Sequence, residues 1–261
     1  MEIEALVRRD RAIAGAGVAA LALLAWASVV GLAGRMPAMG LAPATGAAMP
    51  MAMPEPWGGG QFALTFLMWA VMMVAMMMPA ASPMIVTFAT INRRRAPSGT
   101  PPVPTAVFLA GYLVIWSAFS LVAAGAQWAL QRAALLAPDT LRVVPWVGGA
   151  LLLAAGIYQF TPLKRACLAR CLSPVGFVLT EWRDGPRGAF VMGLRHGAFC
   201  VGCCWALMAL LFVAGVMNLL WVAVLSGLVL AEKLVPTERL VSWTSGALLL
   251  GWGAWIFLQT F

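Results

Sequence analysis

Ala12–Ala33 runs for 22 residues without a charged side chain. That length matches the roughly 20 residues a helix needs to cross the hydrocarbon core of a bilayer. Similar apolar stretches recur along the chain, separated by short connections rich in Arg, Lys, Pro and Gly. Lipid offers no partner to a backbone N–H or C=O, so such stretches must close their hydrogen bonds internally, as helices. The fold class expected is therefore all-α: a polytopic transmembrane helix bundle of about seven spans. The spans fall near 12–33, 62–82, 105–130, 141–160, 189–216, 219–231 and 240–261, in a single membrane domain over 1–261. Pro79 and Pro83 are read as ending the second span. A Met-rich outer loop is expected over 34–60, and a polar inner loop over 161–188.

Composition agrees. The chain is 62% hydrophobic and 10% charged, where a soluble domain carries about 25% charged residues. The net charge of +8 does not point to nucleic acid, because the basic residues lie in the connections and form no phosphate-binding face. The first apolar run is too long for a secretory signal, and its exit at Met36-Pro37 lacks a small-x-small cleavage site. With the N-terminus placed in the cytoplasm, the alternation of spans puts 14 of the 17 Lys and Arg residues inside. Only Arg35, Arg132 and Arg142 fall outside, which is the asymmetry of a multi-pass protein of an inner (plasma) membrane.

The five cysteines and the only histidine gather on that inner side. Cys167 and Cys171 are one helical turn apart and share a face. In Arg195–Cys204, helical spacing lines up His196, Cys200 and either Cys203 or Cys204, with Met192 and Met208 one turn beyond at each end. Thiolate, thioether and imidazole are the ligands that select Cu(I), zinc or iron–sulfur centres, and cytoplasmic thiols stay reduced. Free Cys also packs well as a small hydrophobe, but five within 38 residues is a concentration that packing does not require. The second span adds Met68, Met72 and Met76, and Met73 and Met77, each series at a four-residue repeat and running inward toward the same depth. Met77 and Met76 in particular reach the inner half. The outer loop carries Met36, Met39, Met49, Met51 and Met53, in Met-x-Met form like extracytoplasmic copper-binding segments or as a plain Ala/Pro/Met linker.

Several strings together are specific. They are Trp69…Met76-Met77-Met78-Pro79, then Tyr158-Gln159-Phe160-Thr161-Pro162-Leu163-Lys164…Cys167…Cys171, then His196-Gly197…Cys200-Val201-Gly202-Cys203-Cys204-Trp205…Met208, then Glu232-Lys233. Over roughly 60–235 the chain resembles the DUF2182 family of bacterial integral membrane proteins, described as predicted metal-binding. The resemblance implies a metal-binding membrane protein, with Cys167, Cys171, Cys200, Cys203 and Cys204 in the family motifs. It implies no reaction.

The expected function is handling of a soft metal, above all copper(I), by binding, delivery or translocation. The expected ligands are Cys167, Cys171, His196, Cys200, Cys203, Cys204, Met72, Met76, Met77 and Met208. Zinc or iron are the other metals the ligand set admits; three cysteines and a histidine would close a zinc site. The chain carries no Gly-x-x-x-x-Gly-Lys-Ser/Thr loop and no Asp-Lys-Thr-Gly string, so a transport step would draw on a gradient or a partner. The enzymatic alternatives are a thiol–disulfide oxidoreductase using Cys200 and Cys203, which form a Cys-x-x-Cys pair, or a metal-dependent oxidoreductase. A binding protein is favoured over either. An accessory subunit of a membrane complex is the remaining class. The expected partners are the bilayer, the metal ion and a protein partner or a second copy. Gly193-x-x-x-Gly197 would let another helix approach closely. Glu232 and Lys233 read as a helix-end ion pair or, for Glu232, a ligand, and Glu181 and Asp184 as solvated loop residues.

Overall fold

The computed structural model describes residues 2–35, 58–95, 103–137, 140–235 and 238–260. The Met-rich stretch from Met36 to Met53 lies outside them. In chain order the helices are α1 (Glu2–Arg35), α2 (Gly59–Arg95), α3 (Thr105–Arg132), α4 (Pro145–Gln159), α5 (Pro162–Leu172), α6 (Pro174–Thr180), α7 (Gly185–Ala209), α8 (Leu211–Ala214), α9 (Leu219–Leu234) and α10 (Glu238–Thr260). Among the described residues there is no strand beyond an isolated bridge between Leu136 and Val143. The fold is an all-α bundle, as expected. α2 and α7 lie at its centre. α3 packs along both, and α5 and α9 close the remaining sides. α1 lies outside α2, and α10 pairs with α4 on the opposite flank.

Five stretches are long and apolar enough to cross a membrane: Arg8–Gly34, α2, α3, α7 with α8, and Arg239–Thr260. α4 and α5 make a sixth if the pair, bent by 64°, is one span. α9, at 16 residues, falls short of a full crossing. The expected fourth span over 141–160 is accordingly shorter. Leu141 has φ 50°, and the helix starts only at Pro145, whose ring suits a first helical turn.

Two further expectations are corrected. Pro79 and Pro83 do not end the second span, because α2 continues through both to Arg95. A proline leaves the carbonyl four residues earlier without its donor, and at one of the two freed carbonyls a neighbouring hydroxyl supplies the replacement. Ser82 Oγ donates to the Pro79 carbonyl at 2.8 Å, the group freed by Pro83. Ser226 Oγ reaches the Met76 carbonyl at 3.3 Å, and Tyr112 Oη the Met77 carbonyl at 3.4 Å. Beyond the prolines Met84, Ile85, Phe88 and Ala89 are buried, so packing holds the second half of the helix in place.

The stretch 161–188 is not a polar loop. Thr161 caps α5 by accepting from the Lys164 backbone N–H, with Pro162 in the first turn. α6 follows, and buries Phe177 and Val178. These short helices fold the segment back against α7 and bring Lys164 and Cys171 inside. Glu181 is not simply solvated but pairs with Arg195, and Asp184 accepts from Trp182 Nε1 at 2.7 Å.

The Gly193-x-x-x-Gly197 motif meets α3 within the chain. A Cβ at Gly193 would stand 2.0 Å from the Phe108 carbonyl oxygen, and one at Gly111 on α3 would stand 2.2 Å from the Phe190 oxygen. The two backbones touch because neither residue has a side chain.

Candidate functional site

α7 carries the residues around which the site is built. Its positions 196, 200, 203 and 204 fall on one stripe, and His196, Cys200, Cys203 and Cys204 are all buried against the bundle. The thiols of Cys203 and Cys204 each lie near the Cys200 carbonyl, at 3.1 and 3.0 Å. The Cys204 thiol also meets Met77 Sδ on α2 at 3.9 Å. The methionine stripe of the second span therefore faces the cysteine stripe, at Met77. Met72, Met76 and Met208 are fully buried, but no sulfur contact joins them to the thiols.

α5 brings the other two cysteines to the same place. The buried Cys171 thiol lies within electrostatic reach of Cys203. Cys167 sits over Gly202, where a Cβ would come within 2.7 Å of the Cys167 sulfur. All five thiols are free, and they are spread between α5 and α2, ending at the contact of Cys204 with Met77. Among the described residues no set of three or more His, Cys, Asp and Glu side chains closes around one point as a metal cage. The arrangement is a string, with contacts taken pairwise.

His196 lies one turn from Cys200. Its ring is stacked on Tyr112 at 5.5 Å between centroids and on Phe108 at 6.1 Å, with the edge of Phe177 against it at 5.6 Å. Neither ring nitrogen has a hydrogen-bond partner among the described residues. A buried imidazole ordinarily satisfies at least one nitrogen, so this one holds an unused lone pair beside the thiols.

Two lysines were not foreseen as part of the site. Lys233 Nζ donates to Cys200 Sγ at 2.9 Å. Glu232 does not pair with Lys233; both its carboxylate oxygens accept from Lys164, at 2.7 and 2.8 Å, with both residues 1% exposed. Gln159 accepts from the same ammonium, and Ser242 Oγ donates to Glu232 at 3.1 Å. The buried set thus holds two ammonium groups and one carboxylate, and Lys233 directs its charge to a sulfur. The Tyr112 hydroxyl lies 3.3 Å from Cys200 Sγ, and the Tyr158 hydroxyl donates to the Gly202 carbonyl. Both tyrosines of the chain therefore attach to the cysteine stretch of α7. The sequence signal for these residues was rarity: charges and phenols in apolar helices are functional candidates by default.

The fold and this site define a class: an all-helical protein with the long apolar helices of a membrane protein and a buried, reduced thiol cluster backed by lysine. The chain belongs to the PpoB2 family of copper chaperones, whose family model matches residues 66–256. The match takes in every residue of the site and leaves out α1, the start of α2 and the Met-rich stretch. No curated protein and no solved structure matches the chain. Membership in this family supports a copper-related role.

Proposed function

We propose that this membrane protein binds copper(I) as cargo in the thiol string, with Cys200, Cys203, Cys204 and Met77 as the inner ligands and Cys171, Cys167 and His196 beside them, and passes it on. The observation that carries the reading is the run of free thiols ending on a thioether between helices. Cu(I) is the soft ion such donors select. A tetrahedral zinc centre needs four ligands around one point, whereas a string of pairwise contacts suits an ion that accepts two or three sulfurs. The family's description as copper chaperones and the motifs shared with DUF2182 over 60–235 both agree with metal handling. Met72, Met76 and Met208 belong to the walls of the site in this reading, as buried packing. In this reading the N-terminus is cytoplasmic, which the excess of Lys and Arg in the expected inner connections supports, and Cys167 is the thiol nearest that side.

The test is Cu(I) titration of anaerobically purified protein in detergent against a chromophoric Cu(I) chelator. The wild type is expected to hold copper near stoichiometric amounts, and a Cys200→Ser/Cys203→Ser variant that retains its helical circular-dichroism signal is expected to lose it. Equal copper uptake by both proteins would overturn the assignment. A second reading, thiol–disulfide exchange through Cys200 and Cys203, draws support from the ammonium on Cys200, since cationic neighbours activate thiols. Burial argues against it, because neither sulfur is open to a disulfide substrate. A metal-free wild type with a reducible Cys200–Cys203 disulfide would favour it.

A further inference from the structure

The five thiols differ in one respect that the copper reading leaves unused: they are graded in exposure. Cys200 is 0% exposed, Cys203 and Cys204 are each 1%, and Cys171 is 9%, while Cys167 alone is only partly buried. Cys167 is also the thiol at the outer end of the string, over Gly202 and within electrostatic reach of Cys203. Arg170, three residues on and on the same side of α5, is exposed. Exposed guanidinium groups belong at the water or headgroup level and not in hydrocarbon, so the open side of Cys167 faces an aqueous boundary. Arg170 is held at this rim, its guanidinium 5.8 Å from the ring centroid of Phe199 on α7.

The geometry points to Cys167 as the exchange thiol of the protein, the group that takes Cu(I) from, and returns it to, an anionic thiolate–Cu(I) carrier at the cytoplasmic face. This rests on the copper reading above and adds to it a portal, a partner chemistry and a division of labour. Cu(I) held by two thiolates carries one negative charge overall, and Arg170 presents the complementary charge beside Cys167. Opposite charge of this kind raises encounter rates more than it raises affinity. In the exchange the Cys167 sulfur forms a bond to copper while one carrier sulfur–copper bond breaks. The proton of the Cys167 thiol passes to the departing carrier sulfur, which leaves as a thiol. Copper stays in the +1 state throughout, so no oxidant or reductant enters. Cys203, within electrostatic reach of Cys171, then takes the ion inward toward Cys204 and Met77. Gly202 is the notch that lets the Cys167 sulfur sit on α7; a methyl group there would push it off.

Two measurements on the full chain in detergent test this. The first is labelling of the apo-protein with a bulky polar maleimide, read by mass spectrometry. Cys167 is expected to be modified first, and modification of Cys200, Cys203 or Cys204 at the same rate would overturn the portal. The second compares equilibrium Cu(I) affinity, by chelator competition, with the rate of copper transfer from a Cu(I)–glutathione complex, followed by stopped-flow absorbance of the thiolate–copper band. Cys167→Ser is expected to slow transfer by about tenfold or more while leaving affinity within about threefold, the signature of a kinetic portal. Gly202→Ala, which keeps all five thiols, is expected to slow transfer in the same direction. Cys200→Ser is expected to show the reverse pattern, a loss of affinity. Wild-type transfer rates in Cys167→Ser would overturn the portal alone. A loss of affinity in Cys167→Ser as deep as in Cys200→Ser would overturn it too, by making Cys167 an inner ligand. Failure of the wild type to bind copper at all would overturn both the portal and the function on which it rests.

Discussion

Lys233 holds its ammonium 2.9 Å from the Cys200 sulfur, and both side chains are shut away inside the bundle. The one buried carboxylate nearby, Glu232, is engaged by Lys164, so Lys233 has sulfur and not carboxylate as its counter-group. Burying a charge without a partner is costly, and this contact lowers that cost in the empty site. It also places a positive charge beside the sulfur that would share its electrons with copper. Lys233→Met is therefore expected to weaken Cu(I) binding by about 1.5–3 kcal/mol, roughly 10- to 100-fold, the range for hydrogen bonds to charged groups. Lys233→Arg is expected to retain most of the affinity. Chelator competition on the two variants checks both; unchanged affinity in Lys233→Met would remove the residue from the site.

Lys164 and Glu232 join α5 to α9 across 68 residues of sequence. Neutralising one member leaves the other charged and unsolvated, which typically costs about 3–5 kcal/mol, whereas replacing both by apolar groups of similar size is often neutral. Glu232→Gln is expected to lower the thermal unfolding temperature in detergent sharply. A Lys164→Met/Glu232→Leu double variant is expected to recover much of the loss. Additive destabilisation in the double variant would show that the residues act independently.

How far the sequence spoke for itself follows from the range over which each signal acts. The spans at α1, α2, α3, α7 and α10 were legible because runs of apolar residues report directly on their surroundings. Helical spacing pointed to His196, Cys200 and either Cys203 or Cys204 on one stripe of α7, but it could not say that both thiols are buried or that Met77 is the methionine that meets Cys204. Pro79 and Pro83 misled, because the rule that proline ends a helix assumes that nothing compensates the lost bond, while Ser82 meets the carbonyl freed by Pro83 and buried packing holds the helix beyond it. The partner of Glu232 was illegible for a different reason. It depends on the 64° bend between α4 and α5, and only that bend turns Lys164 inward. Thr161-Pro162, a cap followed by a first-turn proline, did announce α5, but a polar stretch between spans hid it.

Gly193 on α7 lies against the Phe108 backbone of α3, and Gly111 on α3 against the Phe190 backbone of α7, a close approach that sets Tyr112 beside Cys200. A Cβ at Gly193 would lie 2.0 Å from a backbone oxygen, an obstacle that no rotamer change relieves. Gly193→Ala is expected to force the helices apart, lowering the unfolding temperature and weakening Cu(I) binding together. Gly227→Ala, where nothing lies within 4 Å of the added carbon, is the matched control and is expected to leave both unchanged. Equal behaviour of the two variants would show that the α3–α7 contact is not tight in the protein.

Met77 separates a ligand role from a packing role for the methionines of α2. Met72, Met76 and Met77 are equally buried, so their packing contributions are similar, but only Met77 brings its sulfur to a thiol. Met→Leu keeps volume and apolarity and usually costs under about 1.5 kcal/mol of stability, while removing the thioether as a soft ligand. If copper sits between α2 and α7, Met77→Leu weakens its binding several-fold, while Met72→Leu and Met76→Leu leave it unchanged. Three variants with the same affinity, all folded, would confine the copper site to the cysteines of α5 and α7.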